Sequence, residues 1–134
     1  MLFRSMGLLQ DESELEEIVK MVGIDALSPN DRLKMETSRS IREDFLHQNS
    51  FHEIDTYSSL KKQYMMMKLI LAYYENAVQV LEKGAELNDI IDIPVREKIG
   101  RFKYVNEDKL ENNYKEVIEE IQTQTFGLLG KEER

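Results

Sequence analysis

From Leu60 to Leu81 two apolar rows run side by side. Leu60, Tyr64, Met67, Leu71, Tyr74, Val78 and Leu81 recur at alternating spacings of four and three, while Met66, Ile70, Tyr73, Ala77 and Val80 form a second row next to them. Each row is one face of an α-helix, and two adjacent rows require burial over a wide arc. A helix of this kind belongs at the centre of a fold, with other helices laid around it. Its most apolar part, Met65 to Tyr74, is interrupted by Lys68 and falls well short of the ~20 residues that cross a bilayer, so the expected surroundings are protein and not lipid.

The rest of the chain offers the helices that would cover it. Leu15, Ile18, Val19 and Val22 fall at i, i+3, i+4 and i+7, predicting a first helix stopped by Gly23, with acids early and Lys20 late. Leu33, Thr37, Ile41 and Phe45 recur every four residues and predict a second, amphipathic helix to about Leu46. Past Gly84, "LNDIIDIP" reads as a short apolar turn into a brief helix that begins near Asp92 and carries Val95, Ile99 and Phe102. Asn106 is the expected cap of a last helix with Leu110, Tyr114, Val117, Ile118 and Ile121 on one face, fraying beyond Phe126. With only 2 Pro and 6 Gly and no repeat or linker, residues 1–134 are predicted to form one all-α unit, a compact helical bundle of about five helices around one long central helix.

Charge and cysteine usage exclude some classes of function. A net charge of -8 repels phosphate backbones, so free nucleic acid is not an expected partner. No cysteine is present, which rules out a disulfide framework and a thiolate metal site and fits the reducing cytoplasm. Residues 1–9 lack a long apolar stretch with a small-residue cleavage site, so no export signal is read there.

Between the first two helices lies "GIDALSPNDRL", Gly23 to Leu33. Ser28 is a helix N-cap, Pro29 suits the first helical position, and Asp31 stands where a carboxylate can complete a capping box. Between the second and third lies "HQNSFHEID", a polar connector holding one ring, Phe51. That ring either folds over the local core or stacks on a planar ligand whose edge Gln48 and Asn49 bond, with Tyr57 nearby. His47 and His52 are five residues apart with Glu53 beside them, which is not the i, i+4 spacing of a helical metal site, and solvent-facing loop histidines are expected. "GLLGKEE" from Gly127 has the wrong spacing for a Walker loop and Glu132 where a hydroxyl belongs. The neighbouring acids Glu16 and Glu17, and Glu119 and Glu120, point apart on helices and read as solvated faces. Met65 to Met67 read as core, since Met66 and Met67 fall on the two rows.

At "IREDFLHQNSFHEIDTYSSLKKQYMMMKLIL" (Ile41 to Leu71) the chain resembles the C-terminal helical domain of the catalytic A, or alpha, subunit of V-type and archaeal A-type ATPases. The resemblance extends upstream through "LLQDESELEEIVKMVGIDALSPNDRL" and downstream through "IPVREKIGR", over roughly residues 5 to 123. It implies a domain that lacks its own nucleotide-binding sheet and Walker loop, so the chain alone is not expected to be an enzyme although the parent subunit is one. In such subunits ATP or ADP with Mg is bound, A and B subunits alternate around a central stalk, and ATP hydrolysis or synthesis is coupled to proton or sodium transport. The implied location is cytoplasmic and peripheral to the membrane, without insertion into it.

Two groups of residues carry over from the resemblance. Phe51 looks like the ring that stacks on adenine, with Gln48 and Asn49 lining the same pocket and Tyr57 similar to an aromatic position of the related F-type beta subunit. The corner at Asp25, Leu27, Ser28 and Asp31, with Arg32 adjoining, resembles the "DELSEED" loop of that beta subunit, which is associated with the rotating shaft. Ala26, Pro29 and Asn30 depart from it, which removes acids and favours contact by shape and by Leu27. The alternative reading is a free-standing helical adaptor that binds a partner helix and no nucleotide.

Overall fold

The computed structural model describes the backbone of residues 2–46 and 60–132, and side chains from Met6 to Glu43 and from Leu60 to Leu129. Its helices are α1 (Leu2–Val22), α2 (Pro29–Ser40), α3 (Leu60–Glu82), α4 (Leu87–Ile91), α5 (Val95–Arg101) and α6 (Leu110–Glu132). Short 3-10 turns lie at Ile24–Ala26, Phe102–Tyr104 and Glu107–Lys109, and Ile41–Leu46 winds as a π-helical turn. No strand occurs among the described residues, so the all-α expectation holds.

The centre is α3. It packs along α6 and α2 and touches α4, α5 and the π-helical turn, while α1 lies outside on α2. Met66, Ile70, Tyr73, Ala77 and Val80, the second row of the sequence pattern, are all buried, together with Leu69. The first row divides: Met67 and Leu71 are buried, but Leu60 and Tyr64 at the start of the helix are exposed. Leu33 and Thr37 from α2, with Ile41 from the π-helical turn, and Leu110, Val117 and Ile121 from α6 close the core from two sides. Each fully buried Leu, Ile, Val or Phe side chain contributes about 1.5–3 kcal/mol relative to exposure, which is why these rows govern the arrangement.

Several polar groups inside this core are bonded. Tyr73 Oη donates to the Ile90 carbonyl at 2.8 Å, and Ser38 Oγ on α2 donates to the Leu8 carbonyl of α1 at 2.9 Å. The Gln124 Oε1 of α6 accepts the Val95 N–H at 2.8 Å, which caps the start of α5 from another helix. Gly84, at φ 109°, ends α3: its N–H bonds the Leu81 carbonyl and the Ala85 N–H bonds the Val80 carbonyl, the double reversal that a left-handed residue permits.

Four expectations change. In α1, Leu15 is buried and Val19 partly so, but Ile18 and Val22 are exposed, because the helix outruns the surface it packs on. After Ser40 the second helix continues to Leu46 with π and not α winding. "LNDIIDIP" contains a helix of its own, α4, since Leu87 and Ile90 at i, i+3 are both drawn into the core. The last helix does not fray at Phe126: it runs to Glu132, with Leu128 buried one turn beyond Thr125.

Candidate functional site

The corner between α1 and α2 is built from local rules. Gly23 adopts φ 92°, a conformation that favours glycine, and its N–H still bonds the Val19 carbonyl at 2.9 Å. The Ile24–Ala26 turn follows, and Leu27 returns its N–H to the Ile24 carbonyl at 3.1 Å. Ser28 has extended geometry and its Oγ accepts the Asp31 N–H at 3.2 Å, while its carbonyl takes the Arg32 N–H at 2.9 Å, as an N-cap should. The chain therefore turns through a few residues with little freedom.

Side chains at the corner divide sharply. Leu27 is only 8% exposed and faces inward, so it anchors the turn; Asp25 and Ser28 face solvent, and Asp31 and Arg32 are half-buried. Leu27 thus lies beneath the turn, with little of its side chain at the surface. The exposed apolar groups beside it are Ile18, Met21, Val22 and Ile24, of which the sequence pattern had assigned Ile18 and Val22 to a buried face.

Two ion pairs tie α1 to the neighbouring helical stretch. Asp11 meets Lys34 at 3.5 Å, and Glu12 meets Arg42 of the π-helical turn at 2.7 Å. Glu12 is buried, one of its carboxylate oxygens has no partner, and burial pushes its carboxyl above the usual range although Arg42 opposes this. Its signal was present in the sequence: Glu12 lies four residues after Leu8 and three before Leu15, on the apolar face of α1.

A second constellation centres on Arg96 of α5. Its Nη1 donates to Glu36 Oε2 at 3.3 Å and to the Ile91 carbonyl at 3.0 Å, its Nη2 donates to Ser40 Oγ at 3.0 Å, and its guanidinium lies 5.6 Å from the Tyr73 ring centre. One side chain thereby joins α2, α3, α4 and α5, and no periodicity in the sequence announces it. The cleft beside it, about 340 Å³, is lined by the carboxylates of Glu36, Glu43, Asp92 and Glu97 against the guanidiniums of Arg39 and Arg96, a balance unsuited to phosphate.

Phe51, Gln48, Asn49 and Tyr57, and also His47 and His52, lie outside the described residues. Gly127 to Lys131 fall inside α6, where backbone amides bond within the helix and do not form a phosphate cradle. Among the described residues no group of three His, Cys, Asp or Glu side chains is placed to hold a metal ion, and no helix is long and apolar enough to cross a membrane.

What these residues define is a helical bundle with a rigid, capped corner at one end. Comparison with known proteins identifies the group: residues 3–93 match the model of the C-terminal domain of V and A type ATP synthase. The chain belongs to that family. It is 53% identical over 128 residues to the V-type ATP synthase alpha chain of Acetivibrio thermocellus, covering 96% of this chain and 22% of that protein. The alpha chain of Thermoanaerobacter pseudethanolicus is 57% identical over 125 residues, 93% of this chain and 21% of the relative. That of Clostridioides difficile is 54% identical over 128 residues, again 96% and 22%. The chain thus spans about a fifth of the length of these relatives.

Proposed function

We propose that the chain works as the C-terminal domain of the alpha chain of a rotary V/A-type ATPase, a subunit that couples ATP hydrolysis or synthesis to proton or sodium transport. The supporting observation is identity above one half to proteins named V-type ATP synthase alpha chain, sustained over 93–96% of this chain. The domain's partners in this reading are B subunits and a central stalk, and its location is cytoplasmic, at the membrane only through the complex.

Its mechanical part is that of a lever. The core around α3 takes in Leu8 of α1 and Leu33 of α2, and the corner between them is capped, so in this reading a small rotation of the domain displaces the corner at Asp25, Ser28 and Asp31, with Arg32 beside it, against the stalk. Leu27 acts from inside, as the strut under that corner. On the opposite task, Phe51 would stack on the adenine, Gln48 and Asn49 would bond its edge and Tyr57 would help close the pocket. ATP or ADP with Mg supplies the phosphoryl chemistry in the parent subunit; this chain contributes recognition of the base and transmits motion.

The test uses the complete alpha chain within its complex. Phe51→Ala should weaken nucleotide binding by about tenfold while leaving assembly intact, and unchanged nucleotide affinity would refute the stacking role. The 134-residue chain alone should show no measurable ATP affinity by titration calorimetry; tight binding would contradict a pocket shared between two domains.

A further inference from the structure

The buried face of α1 has an acid at its middle. Leu8, Glu12 and Leu15 stand at i, i+4 and i+7, and all three are enclosed, at 6%, 5% and 8% exposure. A leucine at the middle position would satisfy the packing, since a buried ion pair is often matched or bettered by apolar side chains of similar volume. Glu12 instead brings a charge into the seat between α1 and the π-helical turn that follows α2.

That charge is only half answered. Glu12 Oε1 meets Arg42 Nη2 at 2.7 Å, but Arg42 lies at the rim with half of its side chain in water, and Glu12 Oε2 is enclosed without a donor. Glu16, one turn further along α1, adds a second carboxylate within hydrogen-bonding reach of the first, and like charges at this spacing repel. The other charged groups of the elements packed on α1 are engaged or distant. On α2, Lys34 holds Asp11, while Glu36 and Arg39 pair with each other and with Arg96 and Glu43. Asp31 and Arg32, and Asp25 of the 3-10 turn, belong to the corner at the far end of the helix.

Two carboxyl groups this close are at ease when one proton lies between them. We propose that Glu12 takes up a proton as α1 seats on the bundle, so that this contact tightens in mild acid and loosens towards alkaline pH. The proton comes from water, gives the enclosed carboxyl a donor that Glu16 can accept, and cancels the buried charge. When it leaves, Arg42 alone holds the carboxylate. Burial chiefly raises the carboxyl above its ordinary 4.5; Arg42 opposes the rise and Glu16 adds to it. The seated helix therefore binds the proton more tightly than the released one. Below pH 4.5 both forms carry it and the contact is at full strength; above 4.5 the released form gives it up first, and the seat weakens as pH rises through the seated value.

Hydrogen exchange of the 134-residue chain, followed peptide by peptide with intrinsic rates corrected for pH, reads the seat directly. Between about pH 5 and about pH 8 the protection of residues 8–16 should fall severalfold relative to that of α3. Glu12→Gln should flatten that fall and leave α1 better protected at the higher pH, because the half-exposed Arg42 returns to water at little cost. Glu14 is exposed, and Glu14→Gln should leave the pH dependence as it was. Glu16→Gln replaces the repelling carboxylate with an amide donor and should also flatten the fall. Arg42→Gln removes the opposing cation and should steepen it, whereas loss of a plain structural tie lowers protection equally at both pH values.

The same pH dependence in Glu12→Gln as in the unsubstituted chain overturns the inference. So does a Glu12→Gln chain less protected at both pH values, which would make the ion pair a structural tie and nothing more. If Glu12→Gln does not fold, a carbon-13 titration of the Glu12 carboxyl in the unsubstituted chain decides: a midpoint above the ordinary 4.5 supports the bound proton, and one at or below 4.5 refutes it.

Discussion

The middle of α3 and the C-terminal end of α1 carry the same kind of sequence pattern and meet opposite fates. In α3, Met66, Ile70, Tyr73, Ala77 and Val80 are all buried, because α2, α4, α5 and α6 stand around them. In α1 the row through Leu8 and Leu15 continues to Val22, which is exposed because α1 extends past α2. The lesson is that periodicity states which face of a helix is apolar, whereas coverage depends on where the neighbouring helices end. One region is held by its own chain, and the other is finished but uncovered.

The sharpest way to break this comparison is to truncate a side chain in each region and measure urea denaturation. Ile70→Ala, at a site 1% exposed, should destabilise by about 2–5 kcal/mol, while Val22→Ala should stay within about 0.5 kcal/mol. Similar costs at both sites would mean that the end of α1 is packed after all. The next effect concerns the Arg96 junction. Arg96→Met leaves Glu36, Ser40 and the Ile91 carbonyl without their donor and should cost about 2 kcal/mol in the same assay.

Tyr73 offers a pH test of how closed the α3 region is. Burial pushes its phenol up from 10.0 to about 12, and its hydroxyl donates to the Ile90 carbonyl. Below pH 10.0 the phenol is neutral in both folded and unfolded chains, so its stabilising contribution is complete. Between pH 10.0 and about 12 only the unfolded chain ionises, so stability is lost as pH rises through that window. Tyr73→Phe should cost about 1 kcal/mol at neutral pH and show a shallower decline there than the unsubstituted chain. Equal slopes would indicate that water reaches the ring.

A small, local effect is expected at the corner. Ser28→Ala removes the bond from Asp31 N–H and should cost about 1 kcal/mol by thermal denaturation, without moving the α3 core. Because the cap acts locally, this loss should add to that of Ile70→Ala. Marked non-additivity would show that the corner and the centre are coupled directly.

Much of the fold was legible from residues with strong local rules. Gly23, Gly84, Ser28 and Pro29 mark helix ends by conformational freedom and capping, and the rows of α2, α3 and α6 recur with a period that only a helix satisfies. The extent of α6 beyond Phe126 was not legible, because Gly127 and Gly130 weaken helix propensity while Leu128 is held by the core. The Arg96 junction was hidden for a similar reason: its partners Glu36, Ser40 and Ile91 are distant in sequence or on other helices, and nothing local binds them together. At the corner, the frame of Gly23 and Ser28 could be read directly, whereas the burial of Leu27 could not.

By itself, then, the sequence determined an all-α chain, the helix ends at Gly23, Ser28 and Gly84, the apolar rows of its main helices and a resemblance that the family match sustains. These follow from local conformational energies and from a 3.6-residue period, both of which act within a few turns of chain. Tertiary structure alone decided that Leu27 is buried, that Glu12 and Arg96 are joints between helices, and that the apolar row of α1 emerges into solvent at Val22. Those outcomes depend on the relative lengths and crossing points of helices, which are set by packing between residues far apart in the chain.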